Sequence, residues 1–207
     1  TLAKAVDAGF SRIQFPPDLL PADLIGTLIY SQKTEEFSVK KGPIFANFIL
    51  ADEINRASPK TQSALLEVME EAQVTVDGVR RPAPQPFMVI ATQNPVEQAG
   101  TYPLPEAQLD RFLMKTSIGY PSRSAMIDVL DGSASPDRSK NLRPIVSGQD
   151  IVAWAALASA NHTDRAVLDY VAALAEATRE DESSLLGVST RGAIGMVRCA
   201  RVWAAAQ

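Results

Sequence analysis

The chain has 207 residues, 46% hydrophobic and 21% charged, with a formal net charge of -4. That balance fits a globular protein with a real core, as one large domain or a domain with a smaller companion, and it lacks the global basic footprint of a nucleic-acid binder. One cysteine, Cys199, and one histidine, His162, exclude a disulfide framework and the usual structural zinc sites, and no apolar run approaches the ~20 residues of a membrane span. No signal peptide opens the chain, so a reducing, cytoplasmic setting is expected.

Residues 1–5 read as helix, with no cap and no preceding strand. Residues 12–15 form a short strand candidate stopped by Pro16-Pro17. Residues 21–30 are mixed and weakly helical around Gly26, and 36–40 alternate as an exposed strand before the Lys41-Gly42-Pro43 turn. Phe48-Ile49-Leu50-Ala51 then runs apolar into two adjacent carboxylates, Asp52 and Glu53. Such a run predicts a strand covered on both faces, as in a parallel α/β sheet.

Ser58 as N-cap and Pro59 as first helical residue predict a helix to about Ala72. Its inward face carries Gln62, Leu65, Leu66 and Met69, with Glu67, Glu70 and Glu71 largely away from it. Asp77-Gly78 between 74–76 and 79–81 is a strong hairpin signal. A second apolar strand, 87–91, ends in Thr92-Gln93-Asn94-Pro95. A short helix within 103–112 delivers Asp110-Arg111, and 113–118 alternates as a final strand closed by Gly119-Tyr120-Pro121. Everything beyond reads helical: 122–130, a polar linker over 131–144, then 148–160 with Ser147 and Asp150 at capping-box spacing, 164–180, and a last helix capped by Ser189.

Ligands of parallel sheets lie off the carboxyl ends of the strands, where Asp52 and Glu53 emerge. One carboxylate can hold hydrated Mg²⁺ and its neighbour can polarise a water for attack on phosphate. The plainer reading is a buried strand followed by an acidic helix start. Asn94 can equally be a turn residue, and Arg111 a surface partner of Asp110 or Glu106. Arg191 lies in the first turn of a helix, where the macrodipole disfavours it unless an anion compensates. His162 fits a solvated loop, and Cys199, among alanines on a helix, a buried inert thiol.

The motifs Gly42-Pro43-Ile44-Phe45-Ala46-Asn47, Ala51-Asp52-Glu53-Ile54-Asn55-Arg56-Ala57, Pro59-Lys60-Thr61-Gln62, Ala91-Thr92-Gln93-Asn94-Pro95 and the run 102–112 resemble the MoxR branch of the AAA+ ATPases. The likeness extends over nearly the whole chain, with Ala177-Thr178-Arg179 and Ser189-Thr190-Arg191 similar to the family's lid. It implies an α/β fold, a P-loop-type parallel sheet flanked by helices over 1–121, followed by a small all-helical lid over 122–207.

The resemblance also implies roles. Asp52 and Glu53 match the Walker B pair, Asp52 supporting Mg²⁺ and Glu53 activating water. Asn94 matches the sensor that orients that water. Arg111 matches an arginine finger offered to a neighbour's ATP, and Arg191 a second sensor over the nucleotide of its own subunit. Arg56 either pairs across a subunit boundary or braces the strand-end turn. A homo-oligomeric, hexameric ring is implied, with client proteins to remodel and a partner carrying a von Willebrand A-type domain. A DNA-translocating ring motor would share the hairpin and finger, though the acidic balance opposes it, and a non-hydrolysing scaffold is a third class.

The glycine-rich phosphate loop is not in the chain, and the family pattern would set it directly before Thr1. Lys4 is therefore a helix lysine. The links at 5–10 and around Asn161 look short for the family. These residues alone are expected to bind ATP poorly.

Overall fold

The structure, a computed structural model, describes residues 1–33, 35–94, 100–132 and 141–207. The polar linker expected over 131–144 falls partly outside them, at 133–140, as does Pro95 of the strand-end motif.

A run with no polar face must be covered on both sides, and Phe48–Asp52 is the middle strand, β4, of a three-stranded parallel sheet. With β1 (Phe10–Gln14) and β7 (Met88–Ala91), the order is β1-β4-β7. Two-sided cover holds for β4, where Phe48, Ile49 and Ala51 are buried, but not for β7, where Met88 and Ile90 are exposed. α1 (Leu2–Ala5) leads into β1 by a tight turn: Asp7 is left-handed (φ 49°), and the Gly9 amide donates to Asn47 Oδ1.

α3 (Pro59–Glu71) begins as its sequence requires, with Ser58 Oγ accepting from the Thr61 amide. Its Leu65, Leu66 and Val68 pack against Ile13, Ile49, Ala51 and Ile54 in the main core. Gln62 is buried in that core, and its Nε2 donates to the carbonyls of Ile54 (3.1 Å), Ala57 (3.2 Å) and Tyr102 (2.8 Å). One side chain thus ties α3 to the turn after β4 and to the loop before α4 (Glu106–Leu109). After α3, β5 (Gln73–Val76) and β6 (Val79–Pro82) form the expected hairpin, with Asp77 and Gly78 both at positive φ.

Two expectations are corrected. The segment 21–30 is helix only as α2 (Pro21–Ile25); from Gly26 it becomes β2 (Gly26–Ser31), antiparallel to β3 (Glu36–Lys41). Gly26 makes the switch at φ 95°, and a Cβ there would lie 2.1 Å from the Lys40 carbonyl oxygen, so no other residue fits. Residues 113–118 are not a strand, and Leu113, Met114 and Ile118 are exposed. Alternation makes a strand only beside an edge that can pair with it, whereas this segment runs to the helical part, with Leu113 meeting Gly195.

The helical part comprises α5 (Arg123–Leu130), α6 (Gly148–Ala160), α7 (Arg165–Glu180) and α8 (Thr190–Ala205). The Ser147–Asp150 capping box forms as expected. α6 joins the sheet through Val146 and Ile151, which pack on Ala3, Val6 and Phe48. At the short link near Asn161, its Nδ2 donates to the Arg201 carbonyl and Arg201 Nε to Thr163 Oγ1, while His162 is exposed. Cys199 is exposed, not buried. It precedes Arg201 by two positions, about 200° around the helix, and so faces away from the side that meets the α6–α7 link. Among the described residues no helix is long and apolar enough to cross a membrane.

Gln62→Leu keeps the volume but removes the donor shared by three carbonyls. It should lower unfolding stability by about 2–3 kcal/mol in urea titrations, with the m-value unchanged. An unaltered midpoint would mean that water satisfies those carbonyls equally well.

Candidate functional site

Parallel pairing sets Gln14 opposite Asp52 and Ala51 opposite Ala91, so all three strands end at one level. Beyond them lies a polar cleft of about 340 Å³, lined by Arg12 and Gln14 from β1, Asp52 and Glu53 from β4, and Thr92, Gln93 and Asn94 after β7. Thr92 fastens the two acids together. Its hydroxyl donates to Asp52 Oδ1 (2.9 Å) and accepts from the Glu53 amide (2.9 Å). Glu53 sits at φ 54°, ψ 49°, a left-handed conformation costly for a side chain with a Cβ and held here by surrounding bonds.

The acids are partnered. Arg12 grips Asp52 Oδ2 through Nε (2.7 Å) and Nη2 (2.5 Å). These bonds, with that from Thr92, hold the Asp52 carboxyl below its usual range against the opposing effect of desolvation. Gln14 Nε2 (2.8 Å) and Arg56 Nη1 (3.1 Å) both donate to Glu53 Oε2, so Arg56 braces the strand-end turn within its own chain. Asn55, buried behind the cleft, brackets the Asn94 backbone: its Nδ2 donates to the Asn94 carbonyl and its Oδ1 accepts from the Asn94 amide, each at 3.3 Å.

Among the described residues no three His, Cys, Asp or Glu side chains gather for a metal. One ionised carboxylate with an adjacent hydroxyl fits Mg²⁺, which keeps most of its waters and takes other ligands from a phosphate. It does not fit a cation that needs a cage of protein ligands.

Arg111 and Arg191 are not in this cleft. They meet on Glu70, in the last turn of α3, with Arg111 Nη1 3.0 Å from Oε2 and Arg191 Nη2 2.5 Å from Oε1. Arg111 Nη1 also donates to the Leu66 carbonyl, and Arg191 Nη1 lies 3.6 Å from Asp110 Oδ2. The anion that the helix macrodipole demanded for Arg191 is therefore Glu70, with Asp110 beside it. The start of α8 is held from behind: Thr178 Oγ1 accepts from the Val188 amide, and Arg179 Nε donates to its carbonyl. A Cβ on Gly187 would stand 2.6 Å from Arg179 Cα, which explains the glycine. Ser189, the α8 cap, donates to Asp110 Oδ1 at 2.6 Å.

The structure thus gathers Asp52, Glu53 and Asn94, and gathers Arg111 with Arg191 elsewhere. Eleven residues of α3, roughly 16 Å, separate Pro59 near the first group from Glu70 in the second. Arg191 rests on carboxylates at the far end of α3, apart from the residues that line the cleft. Arg12, Gln14, Thr92, Asn55 and Glu70 carry no marked signal in one sequence. Only the strand-end positions of Gln14 and Thr92 hinted at the cleft.

The sequence model of the ATPase family associated with various cellular activities (AAA) matches residues 1–114, and that of the AAA lid domain residues 176–207. An uncharacterized Bacillus subtilis protein, YeaC, is 49% identical over 98% of this chain and 63% of its own length. Chaperone MoxR1 of Mycobacterium tuberculosis is 46% identical over 97% of this chain and 55% of its own. The crystal structure of a proposed ATPase from Cytophaga hutchinsonii superposes with TM-score 0.85 at 47% identity, covering 99% of this chain and 64% of that one. The chain belongs to the AAA ATPase family and, within it, to the MoxR branch. It spans 55 to 63% of the length of those two relatives.

Arg12→Met should raise the Asp52 pKa, read by carboxyl ¹³C shifts against pH. The sign follows from linkage: a carboxyl lowered by folding stabilises the fold above its unfolded pKa and loses that share as pH falls through the folded value. Acid unfolding of the variant should lack that share. An unmoved Asp52 titration would remove Arg12 as its cause.

Proposed function

We propose that the full-length protein hydrolyses ATP, and that the cleft at the ends of β1, β4 and β7 is where the terminal phosphate is attacked. The carrying observation is the convergence of Asp52, Glu53 and Asn94 on one polar cleft in a chain of the AAA family. Asp52 would hold Mg²⁺, which supplies neutralisation of phosphate charge when bound. Glu53, as Walker B base, accepts a proton from water as its oxygen bonds to the γ-phosphorus and the bond to the bridging oxygen breaks, leaving ADP and phosphate. Asn94 orients that water. Among the described residues Gln14 and Arg56 both donate to Oε2, so Oε1 is the oxygen that would take the proton.

The arginines fit a different nucleotide. Both stand about 16 Å along α3 from their own cleft, half-exposed, which supports their action on ATP bound by an adjoining copy. Hydrolysis would then depend on assembly, as a hexameric ring in the cytoplasm. Residues 1–121 would form the catalytic core and 122–207 the lid that carries Arg191. That a Mycobacterium tuberculosis relative is called a chaperone supports a chaperone-like role. Remodelling or maturation of client proteins, with a von Willebrand A-type domain protein as partner, is what the likeness to the MoxR branch would imply. The β5–β6 hairpin is the contact element, motivated by its exposed Asp77-Gly78 tip.

In the full-length protein Glu53→Gln should retain bound ATP in filter-binding assays while turnover falls to background; ordinary turnover would remove Glu53 as the base. Arg111→Ala should bind ATP but lose about 10³–10⁵ in kcat. Undiminished rates in that variant, or in dilute monomer, would contradict the assignment across a boundary. Exchanging Asp77-Gly78 for a disordered linker should abolish client activation and spare basal hydrolysis. Client activation left intact would free the hairpin of that role.

A further inference from the structure

Glu70 belongs to the acidic, solvent-facing side of α3, where a carboxylate ordinarily does little. Here its two oxygens take two different arginines from distant parts of the chain, Arg111 after α4 and Arg191 in the first turn of α8. The recess beside it, about 260 Å³, is lined by Glu67, Glu70, Glu71, Gln108 and Arg111 among others. Two guanidiniums side by side repel each other, and a carboxylate between them offsets that repulsion and sets their spacing. Among the described residues Arg111 is held through Nη1 alone, by Glu70 and by the Leu66 carbonyl. Its Nη2 and Nε edge is left for another anion. Arg191 is steadied by Asp110, itself tied to the α8 cap Ser189.

We propose that Glu70 is a positioning residue: the shared counter-ion that holds Arg111 and Arg191 as one two-cation fork for the terminal phosphate of a nucleoside triphosphate bound by the adjoining copy of the chain. This rests on the reading of Arg111 given above. Half-exposed ion pairs contribute little to stability, so the fork's value lies in aim. A misplacement of about 1 Å in a catalytic group costs on the order of 10²-fold in rate.

The test uses the full-length protein, with assembly measured first by light scattering. Glu70→Gln should assemble normally and lower kcat by about 10²-fold with KM within roughly threefold of the parent. The double variant Glu70→Gln/Arg111→Ala should lose less than the product of the two single losses, because part of what Glu70 does passes through that arginine and the rest through Arg191. Mixing Glu70→Gln with Glu53→Gln subunits should raise activity above the mean of the two, since an intact cleft then meets an intact fork. A merely structural role would not produce that gain. If assembly suffers, Glu70→Asp, which keeps the charge on a shorter stem, reads the same loss in kcat.

An unchanged kcat, additive effects in the double variant, or no gain on mixing while Arg111→Ala with Glu53→Gln does gain, would overturn the role of Glu70. If neither mixture gains, the reading of Arg111 across a boundary fails, and the inference with it.

Discussion

Backbone pairing between parallel strands leaves no freedom to slide once both faces of the middle strand are buried, and the site depends on that constraint. A slip of one residue would turn Ile49 and Ala51 out of the main core into the space that Phe48 fills against Ala3 and Val6, so the register is held by the apolar burial of β4. With it held, Gln14, Asp52 and Thr92 must emerge together, and the Thr92 hydroxyl can reach one acid's side chain and the next acid's amide at once. The left-handed backbone at Glu53 is affordable only because that amide and the following turn are pinned, the turn by Gln62 from α3.

α3 is the element common to both functional groups. Near its start Gln62 grips the turn that carries Glu53, and in its last turn Glu70 grips the two arginines. A helix with Leu65, Leu66 and Val68 fully packed is a stiff rod, so the two ends keep a fixed relation. In this structure that rod holds the two arginines at one end and the turn that carries Glu53 at the other. It also joins the chain's two parts, because Arg191 and Ser189 dock α8 on Glu70 and Asp110.

Much of this was legible in the sequence. The middle strand, the capped helix at Ser58, the Asp77-Gly78 hairpin and the Ser147 capping box follow from local rules whose partners lie within a few residues. The positions of Asp52, Glu53 and Asn94 at strand ends were legible for the same reason. Residues 113–118 misled because alternation says nothing about whether a neighbouring strand exists. The β2 strand was hidden because Gly26 reads as a weak helix interior until Lys40 crowds it. The partners of the charged groups were not legible at all: Arg12 with Asp52, Gln14 with Glu53 and Glu70 with two arginines span long stretches of chain.

Those long-range partners share a pattern. Asp52 is held by Arg12, Glu53 by Gln14 and Arg56, and Arg111 and Arg191 by Glu70. Each group proposed to meet a nucleotide is thus satisfied without one. A bare cluster of two carboxylates would repel itself, as would a bare pair of guanidiniums, and the fold would lose stability at the place where it must be most ordered. Pairing them at rest removes that penalty, and because the pairs are partly exposed they are weak enough to be exchanged. For Asp52 and Glu53, the proposed binding of a triphosphate and its cation would then be a change of partners rather than the burial of naked charge. The same argument explains the residue types at the cleft. Arg12 and Gln14 can each release their partner into solvent without leaving a buried polar group behind, which no deeply buried ion pair would permit.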